Sequence, residues 1–364
     1  MKAEFIQALD EIEREKGVSK DTLIEAIEAA LISAYKRNFG SSQNVEVEVN
    51  DETGDVKVYA KKIVTEEVED ELLDISIEEA NKIDSKYEIG DTVKIEVTPK
   101  NFGRIAAQTA KQVVVQRIRE AERELIFDKY TNRESEIITG SVQRVSRNNV
   151  LINLGRTEGV LLPSEQIAGE RYNQGDRIKT YILEVKKTTK GPQILLSRTH
   201  PGLVKRLFEL EVPEIHDGTV DIFSISREAG SRTKIAVYSN EEDVDPVGAC
   251  VGHKGARVKN IVDELNGEKI DIITWNKDPK IFIANSLSPA KVLRVEVDEE
   301  NNSALVVVPD YQLSLAIGKE GQNARLAAKL TGWKVDIKSE SQQENDEKEE
   351  SNIAENNNLE DSIE

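Results

Sequence analysis

Two stretches of the 364-residue chain pair glycines at a spacing suited to one kind of chemistry. They are "VGHKGARVKNIVDEL", from Val251 to Leu265, and "IGKEGQNARLAAKL", from Ile317 to Leu330. Each sets an aliphatic residue before Gly-x-x-Gly and follows it with a helix-forming run. Gly252 and Gly255 match Gly318 and Gly321 at an offset of 66. A bend without Cβ atoms lets a sugar–phosphate chain come close, and a helix starting there offers N–H groups and positive dipole to phosphate. His253 and Lys254 in the first bend and Lys319 in the second can strengthen that contact. Arg257, Gln322 and Arg325, in the first turns of the two helices, complete the candidate set. Glu320 opposes it, because a carboxylate beside phosphate costs affinity, so the first bend is the stronger anion site.

The elements around the bends repeat as well. "RTKIAVYS" reads as a strand, "DPVGACV" as a short helix, "ARVKNIVDEL" as a second helix and "KIDIITW" as a closing strand. "ALVVVP", "QLSLAI", "QNARLAAKL" and "WKVDIKS" take the same places downstream. The endings "GEKIDI" and "GWKVDI" match at 65, one residue short of the glycine offset. Matched element order at a fixed period indicates tandem copies of one fold. The pattern resembles the KH arrangement, in which a GxxG loop clamps about four nucleotides of a single strand. The strand before the helix pair and the strand after it resemble the prokaryotic, type II form. The opposing reading, a tight helix–turn–helix joint, suits one isolated copy better than two with the same flanks. Trp275 and Trp333, beside the closing strands, can stack on bases, but large apolar groups there more often fill a core or a domain interface.

From Glu136 to Arg198 the texture changes to five short strands with Gly at the corners, the pattern of a small closed barrel. "TGSVQRV", "VLINLGRTEGVLLPSEQI", "QGDRIKTYILEV" and "ILLSR", in that order, resemble the S1 domain, an OB-fold barrel that binds single-stranded RNA. Where such barrels often carry aromatic residues this one has "SRNNV", so RNA contact is expected to rest on Arg144, Arg147 and Arg198. A barrel that only spaces its neighbours is the alternative. "THPGLVKRLFELEVPEI", between Pro201 and Pro213, reads as a short connecting helix.

The N-terminus reads as helix: Leu23, Ile27, Leu31 and Tyr35 recur at helical spacing between Ser19, an N-cap, and Gly40, a stop. "VEVEVNDETGDVKVYAKKIV" reads as a hairpin with one buried face, and "DTVKIEVTP" as a further strand. "NFGRIAAQTAKQVVVQRIREAERELIFDKY" is expected to be a helix of about 27 residues, roughly 40 Å long, enough to span or separate domains. Lys36, Arg37 and Arg104 stand out as basic points beside apolar neighbours.

Charge is unevenly spread. The net of −19 resolves into −10 over residues 1–134, zero over 135–338 and −9 over 339–364. The neutral middle suits RNA contact through a few loops, and the acidic N-terminal region suits a protein partner better than RNA. The lone cysteine, Cys250, excludes an intramolecular disulfide framework; lying among apolar residues, it reads as packing rather than as a nucleophile. The chain shows no signal segment and no apolar run long enough for a membrane helix, so a cytoplasmic protein is expected. An enzyme reading finds little to stand on: there is no phosphate-binding GxxxxGK[ST], no GxGxxG after a strand, and no metal-ligand spacing. His200, His216 and His253 are scattered, and no cofactor or metal is expected.

One S1 domain and two KH domains behind an acidic helical region resemble the NusA family of bacterial elongation, termination and antitermination factors. "NFGRIAAQTAKQVVVQRIREAERE", "SRTHPGLVKRLFELEVPEI", "DPVGACVGHKGARVKNIVDELNGEKIDIITW" and "VVVPDYQLSLAIGKEGQNARLAAKLTGWKVDI" carry the likeness over about residues 1–340. The resemblance implies a multidomain α+β chain. Its parts would be an RNA polymerase-binding domain over 1–130, the S1 barrel over 135–199, KH domains over 200–277 and 278–340, and a disordered acidic tail over 341–364. It implies a monomer whose partners are RNA polymerase, nascent single-stranded RNA and further elongation or antitermination factors. Lys36, Arg37 and Arg104 would then face RNA leaving the polymerase. The rival is a KH/S1 accessory factor of ribosome assembly or RNA processing.

Overall fold

The structure is a computed structural model that describes residues 3–40 and 44–345. It divides into two compact units, residues 1–128 and 129–364.

In the first unit α1 (Ala3–Lys16) and α2 (Lys20–Phe39) precede a sheet of β1 (Val45–Val49), β2 (Val56–Thr65), β3 (Asp74–Ser76) and β4 (Thr92–Glu96). The short α3 (Ile77–Ile83) follows β3, and α4 (Phe102–Thr131) closes the unit. The Ser19 side chain accepts from Thr22 N–H and Gly40 N–H donates to Lys36 O at 3.1 Å, so α2 starts and stops where its caps dictate. Strand alternation fixes the hairpin: Val45, Val47 and Val49 are buried, and Val47 pairs opposite Val58. These side chains join Leu23, Ile27, Leu31 and Phe102 in one core. A smaller core of Val64, Ile75, Ala80 and Val93 lies under α3. The sequence reading passed over β3 and α3, which lie in an acidic stretch. Ser76 caps α3 by accepting from Glu79 N–H. At 30 residues α4 is slightly longer than expected.

The second unit opens with a closed barrel of β5 (Ile137–Ser146), β6 (Asn149–Asn153), β7 (Glu158–Leu161), β8 (Arg177–Thr188) and β9 (Gly191–Ser197), neighbouring in the order β5-β6-β7-β9-β8. The first KH domain is α5 (Pro201–Glu211), α6 (Pro213–His216), β10 (Val220–Glu228), β11 (Arg232–Ser239), α7 (Pro246–Val251), α8 (Ala256–Glu264) and β12 (Lys269–Thr274). The second is α9 (Pro279–Ser286), β13 (Arg294–Asp298), β14 (Ser303–Val308), α10 (Leu313–Ile317), α11 (Gln322–Thr331) and β15 (Lys334–Ser339). In each, an antiparallel pair is joined by a parallel third strand: β10-β11-β12 and β13-β14-β15.

Two expectations change here. The helix after Pro201 is not a connector: Leu203, Val204, Leu207 and Phe208 are buried in the first KH core with Ile235, Val237, Cys250 and Ile261. Residues 341–345 are not tail, since a helical turn runs over 340–345 and Ser341 Oγ donates to Asp310 Oδ2 at 2.6 Å. The remaining tail, 346–364, lies outside the described residues.

Neighbouring domains of this unit share cores. Tyr181 of the barrel is buried in the first KH core, and its ring stacks on His200 at 4.6 Å. Ala236 and Ile273 of the first KH domain pack with Phe282 and Leu330 of the second.

Candidate nucleic-acid interface

The two bends have nearly the same backbone. Gly252 lies at φ 72, ψ 179 and Gly318 at φ 77, ψ 171; Gly255 lies at φ 76, ψ 14 and Gly321 at φ 74, ψ 15. Between them Lys254 (φ 52, ψ 28) and Glu320 (φ 55, ψ 26) both take the left-handed region. A non-glycine residue there is uncommon, so its recurrence at equivalent positions marks one backbone design.

Some helices start on a side-chain cap, and others, α6 and α10 as well as α8 and α11, do not. Ser19, Ser76, His200, Asp245 and Asp278 each place a side-chain acceptor on the first turn of their helix. Neither α8 nor α11 has such a cap; each begins on the second glycine of its bend. The first N–H of each helix donates back into its bend, Ala256 to His253 O and Gln322 to Lys319 O, and among the described residues no side chain covers the positive end of the dipole. His253, Lys254 and Lys319 are exposed beside them. The two bends thus each lead into an uncapped helix, the first carrying Lys254 and the second Glu320 at the same position.

Other candidate side chains are already engaged within the protein. Arg257 Nη1 donates to Ala249 O at 2.6 Å and to Glu214 Oε2 at 2.8 Å, pinning the end of α7. The equivalent position on α11 is Asn323, whose Nδ2 donates to Ala316 O and Leu287 O at 3.0 Å. Sequence reading missed Asn323, although the offset of 66 pairs it with Arg257. Gln322 Nε2 donates to Glu228 Oε2 and Ser231 Oγ, both at 2.8 Å. Arg325 Nε donates to Glu228 Oε1 at 2.6 Å.

On the barrel, Arg144 and Arg147 are exposed. Arg147 (φ 50) and Asn148 (φ 66) form the two-residue turn between β5 and β6, closed by the Ser146–Asn149 pair. Arg198 does not belong with them. Only 1% exposed, it donates from Nη1 to Lys179 O at 2.8 Å and from Nη2 to Glu264 O at 3.0 Å, and its guanidinium pairs with Glu170 and Glu264. Burial opposes its charge, yet the flanking carboxylates keep it above the usual guanidinium range. Arg198 therefore joins the barrel to α8 and is closed to RNA. The barrel's aromatic residues, Tyr172 and Tyr181, offer no stacking platform: Tyr172 OH donates to Glu170 at 2.6 Å and Tyr181 is packed against His200.

The tryptophans also pack inward. Trp275 stacks on Phe223 at 4.8 Å where the KH domains share a core, and Trp333 packs in the second KH core. Cys250 is buried, and burial pushes its thiol up to about 12, which leaves it a neutral packing group. In the first unit Tyr35, Phe39 and Phe102 form an aromatic cluster joining the end of α2 to the start of α4. Lys36 and Arg37 on that turn of α2 and Arg104 on that turn of α4 are exposed. Arg37 also lines a groove of ≈ 370 Å³ with Ala30, Ser33, Gln112 and Gln116. Among the described residues no helix is long and apolar enough to cross a membrane, and no cluster of His, Cys, Asp or Glu forms a metal site.

Comparison with known proteins agrees with this domain order over residues 4–345. Residues 4–124 match the NusA N-terminal domain and 132–197 the S1 RNA binding domain. Residues 198–275 match the NusA-like first KH domain, and 279–345 the NusA-like second KH domain. The chain is 62% identical to the "Transcription termination/antitermination protein NusA" of Halalkalibacterium halodurans, covering 94% of this chain and 90% of that one. It is 62% identical to the Bacillus subtilis protein of the same name, covering 93% and 92%, and 43% identical to that of Thermus thermophilus, covering 92% and 89%. The chain belongs to the NusA family of transcription termination/antitermination proteins.

Proposed function

We propose that this chain is a transcription factor, not an enzyme, that holds nascent single-stranded RNA on its KH bends while residues 1–128 dock on RNA polymerase, and so modulates pausing, termination and antitermination. The observation that carries the RNA part is the pair of matched bends, each opening onto a helix without a side-chain cap. Arg144 and Arg147, exposed on the barrel hairpin, extend the contact. The acidic first unit repels RNA as a whole and suits a protein partner, with Lys36, Arg37 and Arg104 as local basic points for RNA leaving the polymerase. A factor of this kind acts as a monomer in the cytoplasm, where transcripts emerge.

The direct test replaces His253 and Lys254 with Asp. Both side chains are exposed, so the fold should survive while affinity for unpaired RNA falls substantially; equal affinity would count against the clamp. A pull-down from cell extract with and without RNase tests the polymerase contact, which should persist after RNase. Lys36→Ala with Arg104→Ala should reduce pausing at a hairpin without weakening polymerase binding; unchanged pausing would dismiss these residues.

A further inference from the structure

The second bend differs chemically from the first. It carries Glu320 where the first has Lys254, and its nearby helical cation is Arg325, at the position occupied by Lys259 in the first. Arg325 is half-exposed, yet two of its three guanidinium nitrogens are fixed. Nε donates to Glu228 Oε1 at 2.6 Å and Nη1 to Glu320 O at 3.0 Å, while Nη2 has no hydrogen-bond partner among the described residues. The Nη1 atom is also the one atom within 4 Å of a Cβ built on Gly321, at 3.9 Å, so the guanidinium stands beside the open side of that glycine. Glu228 ends β10 of the first KH domain, and its other oxygen accepts from Gln322 in the first turn of α11.

We infer that Glu228 is a positioning residue of the second clamp, contributed by the first KH domain, which holds Arg325 beside Gly321 ready to meet an RNA phosphate. This rests on the second bend being an RNA clamp, as proposed above. A long side chain loses rotamer freedom when it takes a ligand, and fixing it beforehand removes that loss from binding. An arginine held at Nε and Nη1 keeps a donor edge for phosphate, which a lysine point charge would not present in a fixed plane. The pairing with Arg325 holds the Glu228 carboxyl below the usual carboxylate range, so it stays ionised as an anchor near neutral pH.

The sign of one substitution separates this role from that of an ordinary surface charge. Removing a carboxylate near bound RNA should tighten binding if Glu228 only repels phosphate, and weaken it if Glu228 positions Arg325. The experiment titrates the full chain against a labelled single-stranded RNA of about 12 nucleotides, long enough for both clamps at about four nucleotides each, over a series of salt concentrations. Glu228→Ala should weaken binding by about fivefold and flatten the slope of log K against log salt by about 0.7, the contribution of one phosphate on a single strand. Arg325→Ala should do the same, and the double variant should lose no more than either single one. Equal or tighter binding by Glu228→Ala overturns the inference, as does full additivity in the double variant. If Glu228→Ala lowers the melting temperature enough to obscure the titration, Arg325→Lys replaces it. Arg325→Lys retains the charge at an exposed site but cannot bridge Glu228 and Glu320 O. It should show the same loss, and wild-type affinity and slope for it overturn the inference. If His253→Asp/Lys254→Asp weakens binding while Glu228→Ala does not, only the positioning role falls. If the wild-type chain does not bind the RNA, the clamp reading falls and takes this role with it.

Discussion

Arg257 lies across the α-carbon of Gly252: its Cγ and Cδ stand 2.7 and 2.8 Å from where a Cβ on that glycine would sit. Asn323 stands over Gly318 in the same way, with its Cβ and backbone N at 2.8 Å. The second glycines are different. A Cβ on Gly255 would meet nothing within 4 Å, and one on Gly321 only Arg325 Nη1. Both glycines of each bend had been expected to serve the approach of RNA. The geometry divides them: the first is required by the protein's own packing, the second faces the space a ligand would take.

Alanine at the two positions should therefore fail in different ways. At Gly252 it meets Arg257 and a backbone of φ 72, ψ 179 that L-residues avoid, so a loss of about 2–3 kcal/mol in stability is expected. At Gly255 the cost is the left-handed conformation alone, about 1–2 kcal/mol, and the larger effect should fall on RNA affinity. Thermal melting and RNA titration of Gly252→Ala and Gly255→Ala read the two effects separately. Adding Arg257→Ala should restore part of the stability of Gly252→Ala; no recovery would show that Arg257 is not what the Cβ meets.

Arg198 and the barrel arginines should separate as cleanly. Arg198→Ala leaves Glu170, only 4% exposed at its side chain, without its cation, and breaking such a buried pair costs about 3–5 kcal/mol. Its urea unfolding midpoint should drop sharply. Arg144→Ala and Arg147→Ala, at exposed positions, should leave the midpoint in place and weaken RNA binding. A wild-type midpoint for Arg198→Ala would mean that the barrel and the first KH domain are not joined through this residue.

The contrast shows what was legible beforehand. Periodic elements with local punctuation were: α2 between Ser19 and Gly40, the β1–β2 hairpin, the barrel strands and the repeated KH units all carry their signals within a few residues. The start of α9 was equally signalled, since Asp278-Pro279 repeats the Asp245-Pro246 start of α7, but that copy went unread. β10 was missed because its burial does not alternate: its middle packs against the second KH domain, where Ser224 Oγ donates to Leu330 O. What no local pattern contains is the partner of a charge. Arg198 finds Glu264 66 residues away and Arg257 finds Glu214 43 residues away, so arginines that look free for RNA in the sequence are committed once the chain folds.

Cys250 gives a prediction without RNA. It is buried, and with its thiol pushed up to about 12 almost none is thiolate at neutral pH, the form that reacts. Folded protein at pH 8 should resist a thiol-specific alkylating reagent and label at the rate of a free cysteine once unfolded in urea. Rapid labelling of the folded chain would show that α7, and the bend it leads into, opens readily.

The Arg227–Glu268 pair should govern the acid limb of stability in the first KH domain. Both side chains are fully buried, joined by two parallel hydrogen bonds of 2.8 and 2.9 Å, and Glu268 also accepts from Thr233 Oγ1 and Gly230 N–H. Burial alone would raise the Glu268 carboxyl, but these donors outweigh it and hold it below the ordinary carboxylate range. A carboxyl with a depressed folded pKa contributes stability that is present above its unfolded value of about 4.3 and is lost as pH falls through the folded one. Glu268→Gln removes that titration and leaves Arg227 buried without a counter-charge, at a cost of about 3–5 kcal/mol at pH 7. The gap in urea midpoint between wild type and variant should thus be widest from neutral pH down to about 5 and narrow below about 4. A gap that stays constant down to pH 3 would mean that the pair keeps its proton balance on unfolding and does not set the acid limb.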